Sequence, residues 1–153
     1  MARTLDKFTD DRARARRLRE FLHDCAGSGP SEETDRVREA VLELAGTGIA
    51  GGDRGARRGF DVAAIHAMLD CGATMSAVLE IMGRDVRFML SRGAQDSCLA
   101  SVVMNDGSDE ALAEGPTLAL ALLAAHVSSV LSRIEKGAQA GEIHAAPASI
   151  RLH

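Results

Sequence analysis

The chain has 153 residues, 46% of them apolar and 26% charged, which is enough for one domain with a real core. It carries four Phe and no Tyr or Trp, so Ala, Leu, Val, Ile and Met must build that core, and such residues favour helices packed closely through small side chains. A net charge of −4 offers phosphate no overall attraction and excludes a globally basic nucleic-acid binder.

The charge is unevenly spread. Residues 1–92 hold 15 Arg/Lys and 15 Asp/Glu, whereas residues 93–153 hold 3 and 7, so an anionic partner would have to meet the first part. Three widely spaced cysteines, Cys25, Cys71 and Cys98, and an N-terminus without an apolar signal region point to a reducing, cytoplasmic setting.

In chain order, the first helix is expected from Thr9, with Asp10 and Asp11 at its positive end and Leu18, Phe21, Leu22 and Cys25 on one face, to Gly27. Arg12, Arg16 and Arg19 fall on its outer face. Pro30-Ser31-Glu32-Glu33 announces a second helix with Val37, Val41 and Leu44 as its stripe. Residues 46–59, GTGIAGGDRGARRG, read as a flexible glycine-rich loop. A third helix is capped by Asp61, with Phe60 and Ile65 placed as a hydrophobic staple, and stops at Gly72. A fourth, capped by Thr74, runs to Gly83, and a fifth covers about Arg84 to Ser91. Residues 97–104 suit a strand or another turn of helix; helix is favoured because a lone strand has no partner elsewhere. The last element, 117–136, is apolar on most sides, as expected of a central or interfacial helix. His126, Ser128, Ser129, Ser132 and Arg133 interrupt it, which argues against a membrane span.

Residues 61–92 resemble the helix-turn-helix superfamily. Gly72, Thr74, Val78, Met82, Gly83 and Met89 stand where that pattern expects turn, cap, core, core, turn and core. The resemblance implies major-groove reading by a dimer, with Arg84, Arg87 and Arg92 as phosphate or guanine contacts, Ser91 assisting, and Arg54, Arg57 and Arg58 on flanking phosphates. The sequence departs from the pattern at Leu79, where a small residue is usual, and at Arg92, where a core residue is expected.

Other motifs carry less. Gly46-Thr47-Gly48-Ile49-Ala50-Gly51 matches the dinucleotide fingerprint, yet a helical segment precedes it and no helix follows promptly, so no cofactor is expected. His23-Asp24-Cys25, His66 with Asp70 and Cys71, and Cys98 lack the close pairs of a zinc site, so no metal is expected. Asp96-Ser97-Cys98-Leu99 resembles the Asp-Ser-Leu attachment site of acyl carrier proteins, which implies a prosthetic arm on Ser97, but the upstream helix spacing of that family is missing. His66 and Asp70 are tied to no nucleophile, so no catalytic residues are expected.

The sequence therefore reads as a single all-α domain over 1–153, a compact bundle of about six helices around the apolar C-terminal one. Leu118, Leu122, Leu123, Val127, Val130 and Ile134 are the expected oligomer interface. The expected function is that of a non-enzymatic small helical regulator, adaptor or assembly subunit, acting by protein contact as a homo-oligomer and without membrane association. Dimeric helix-turn-helix binding to duplex DNA is the alternative.

Overall fold

Helix α1 (Ala2–Gly27) turns Ala15, Leu18, Phe21 and Cys25 inward at three- and four-residue spacing, and it begins seven residues before the expected start. The computed structural model describes residues 2–45, 59–105, 107 and 109–145. A single 3-10 turn, Pro30–Glu32, leads into α2 (Glu33–Ala45), which buries Val37, Ala40, Val41 and Leu44. Arg36 clamps the corner between the two helices: its Nε donates to Ser28 Oγ at 2.8 Å, and its guanidinium also lies against Asp24 and Glu39. The glycine-rich loop, with Arg54, Arg57 and Arg58, falls almost wholly on residues 46–58, outside the described residues.

Helix α3 (Val62–Asp70) starts where Asp61 accepts the Ala64 backbone N–H at 3.1 Å, an N-cap that satisfies one of the helix's orphan donors. Gly72, at φ +79°, turns the chain into α4 (Thr74–Met82). The N-cap of α4 is Ala73, with no side-chain bond, and Thr74 is buried as the first helical residue, which corrects the cap expected there. Gly83, at φ +75°, ends α4 in a backbone region that L side chains rarely adopt.

From Gly83 to Gly115 the described chain forms strands instead of helices, and the expected all-α bundle of about six helices gives way to a mixed fold. Strands β1 (Val86–Arg92), β2 (Cys98–Met104) and β3 (Ala111–Gly115) form one antiparallel sheet in the order β1-β2-β3. The segment 84–91, expected as a fifth helix, is mostly β1. Residues 98–104, expected as helix for want of a partner, pair along their whole length with that same segment, from Arg92 opposite Cys98 to Val86 opposite Met104. The reversal between them is a tight loop in which Gly93 N–H donates to Ser97 O at 2.8 Å, with Gln95 and Asp96 at φ +61° and +59°.

Helix α5 (Leu118–Ala145) closes the inner face of the sheet. The Leu120 backbone N–H donates to Thr117 Oγ1 at 3.1 Å, which caps its first turn. Every residue from Ala119 to Val127 is buried, because α5 touches the sheet on one side and α1, α2 and α4 on the other. That sandwiched position explains a helix apolar all round. By length and composition Leu118–Ala140 would also reach across a bilayer, with mean hydropathy 1.4, and most of it is enclosed by the chain's own elements. Ion pairs brace the layers: Arg19 of α1 with Glu135 of α5, and Arg38 of α2 with Asp70 of α3 at 2.8 Å.

Candidate functional site

Alternation along a strand sends successive side chains to opposite faces. Val86, Leu90, Cys98, Ala100, Val102, Met104 and Ala113 take the inner face and pack into the core. Arg87, Met89, Ser91, Leu99, Ser101, Val103, Leu112 and Glu114 take the outer face, and six of these eight are exposed.

The pairing register sets these outer residues in rows. Met89, Ser101 and Leu112 form the middle row; Ser91, Leu99 and Glu114 form one flank; Arg87 and Val103 form the other. Met89 is 73% exposed, Leu112 61% and Leu99 43%, while the small Ser101 between Met89 and Leu112 is buried. Phe88 belongs to the inner face yet remains 41% exposed, because α5 lies chiefly over β2 and β3 and leaves the outer edge of β1 uncovered. The result is an apolar diamond of Met89, Leu99, Val103 and Leu112, with a cation at one corner and a carboxylate at the opposite one. These apolar side chains are neighbours on one face, unlike a single scattered residue such as Leu42.

The residues expected to read DNA are distributed differently. Arg84 lies in the turn before β1; Arg87 and Ser91 share the outer face; Arg92 ends the strand on the other side. They are carried by a strand and its approach, not by a helix fit to lie in a groove. Of the residues expected at an oligomer interface, Leu122, Leu123 and Val127 are fully buried within one chain, and Leu118, Val130 and Ile134 are partly buried against the same core.

The residues considered for chemistry do not converge. Cys25 and Cys98 are buried and Cys71 is exposed, all three as free thiols, and the described residues contain no group of three or more His, Cys, Asp and Glu able to hold a metal ion. Burial pushes the Cys25 thiol up to about 12, against the opposing pull of Arg36, so it stays protonated and weakly nucleophilic at neutral pH. Asp70 is engaged by Arg38. Ser97 stands just before β2, its hydroxyl donating to the Glu114 carboxylate, beside an open cleft of about 520 Å³ between the end of α1 and the β1–β2 loop. No described His, Lys, Arg or Cys lines the cleft beside that pair.

Met89, Leu99, Leu112 and Glu114 as a surface escaped the sequence reading. One signal for the second hairpin is visible in it: Asn105-Asp106-Gly107 sits between two apolar runs, and Gly107 adopts φ +73°. No family model, no characterised relative and no solved structure matches the chain at a significant level.

Proposed function

We propose that this chain is a non-enzymatic regulator, adaptor or assembly subunit that works through protein contact as an oligomer. The observation that carries the proposal is the open outer face of the sheet, where Met89, Leu99 and Leu112 stand in water beside one another. Burial from full exposure is worth roughly 1.5–3 kcal/mol for such a side chain, and each of these would gain about half of that or somewhat more, a driving force that a partner protein supplies and bulk solvent does not.

A photo-reactive residue placed at Met89 tests this in the cell that makes the protein. Adducts to a protein are expected from Met89 and not from the equally exposed Leu42 of α2. Equal labelling at both positions, or none at Met89, would remove the reading.

Duplex DNA is the second reading. In that case Arg87 and Ser91 on the outer face of β1, with Arg84 in the turn before it, would meet the duplex as β-ribbon proteins do, while Arg92 lies on the other side of the strand. It predicts binding whose affinity falls linearly on a log–log plot against salt, and absence of binding at low salt would eliminate it.

A further inference from the structure

We infer that the occupant of the outer sheet face is a second copy of this chain, stacked face to face about a two-fold axis over Ser101, with Arg87 of each copy paired to Glu114 of the other. This rests on the protein-contact reading above and adds to it the partner and the geometry.

The argument begins with two charges that cannot meet within one chain. Arg87 and Glu114 occupy diagonally opposite corners of the outer face, two strands and four residues apart in register. At about 4.8 Å between strands and about 3.4 Å per residue, their backbones are roughly 17 Å apart. Both side chains are exposed, and Ser97 occupies only part of the Glu114 carboxylate's accepting capacity. A two-fold rotation about the diagonal that runs through Ser91 and Ser101 carries each of these corners to within about 6 Å of the other's position, a gap that the long Arg and Glu side chains span. It therefore makes two Arg87–Glu114 pairs from a single surface, as an isologous interface requires.

The same operation places apolar on apolar. Met89 of one copy lies over Leu99 of the second, and Leu112 lies over Val103, so all four residues of the diamond are covered. Ser101, small and central, meets its own counterpart on the axis and lets the two sheets approach closely. The strands of the two sheets cross at about 70°, nearer the orthogonal than the aligned of the two arrangements that stacked sheets favour.

Pairing along the free edge of β1 is the rival way for two copies to join. Antiparallel pairing centred on Met89 would set both copies of Arg87 and Arg92 along one seam with no described acid on that strand to answer them. Charges on an edge strand are a familiar defence against such pairing. Stacking through the face instead gives each Arg87 a carboxylate.

Size sets the strength. Three strands of five to seven residues present a footprint of roughly 14 by 20 Å, well below the about 800 Å² per partner of a standard stable interface. The dimer is accordingly a weak one that dissociates on dilution.

Sedimentation equilibrium of the full purified chain, with Arg87→Glu, Glu114→Arg and the double exchange, tests the geometry. Each single exchange turns two attractive pairs into two repulsive ones and is expected to weaken dimerisation about tenfold or more. The double exchange restores it to within about threefold, and raising salt shrinks both effects. Circular dichroism checks that the exposed substitutions leave the fold intact. A dimer indifferent to the single exchanges, or not rescued by the double one, overturns the stacking while the oligomer reading stands. A chain monomeric throughout, whose Met89 adducts are to a different protein, overturns the second copy and leaves protein contact in place. A monomer without Met89 adducts removes both.

Discussion

Leu122→Ala is expected to lower the free energy of unfolding by about 2–5 kcal/mol, by the same amount at every protein concentration. Leu122 is fully buried within a single chain, in the stretch of α5 held between the sheet and the other helices, so truncating it removes transfer energy and leaves a cavity that rigid neighbours on both sides cannot fill. Denaturant unfolding followed by circular dichroism at two widely separated protein concentrations measures the loss. An interface role for this residue gives a different outcome: a loss that varies with dilution, because the lost contact would then belong to the association step. Leu42→Ala on α2 is the control. Its side chain stands in water, and the change should stay within about 0.5 kcal/mol.

Gly115→Val should cost about 3 kcal/mol and lower the melting temperature by about 6–12 °C. A Cβ at Gly115 would come to 2.8 Å from the Ala121 backbone N and 3.1 Å from its Cα, where β3 passes against the first turns of α5. Those are main-chain atoms inside a capped helix and cannot swing aside as a side chain would. The clash must lift α5 from the inner face of the sheet, loosening the contacts that hold β2 and β3 in place. Gly115→Ala has the same sign and a smaller size. Thermal unfolding of both variants checks the ordering, and an unchanged midpoint for the valine variant would show that the close approach does not exist in solution.

Local signals in the sequence locate much of the helical part. Phe21, Val37, Ile65 and Val78 recur at helical spacing on faces that are indeed buried, and Asp61 caps α3. Helical hydrogen bonds join residues four apart, so a short window holds most of what decides them. The apolar run in 118–127 likewise announces a helix enclosed on all sides, though not by what.

The sheet was harder to see for the opposite reason. β2 buries both its inner residues and Ser101 of the outer face, which blurs the alternation a strand normally displays. In β1 the consecutive Phe88-Met89-Leu90 does the same. With 84–91 taken as helix, residues 97–104 look like a strand without a partner, when the partner is that same segment. Gln95 and Asp96, which take left-handed backbone in the loop between them, are not the glycine or asparagine pair that advertises such a turn.

From residue types alone came the positions of α2 and α3 and the apolar character of the last helix. Tertiary structure alone decided that 86–92 is extended, that α5 is covered from within and that Met89, Leu99 and Leu112 share an open face. Helices answer to neighbours along the chain, whereas a strand, and the side of it left to water, depends on segments distant in sequence that only folding brings together.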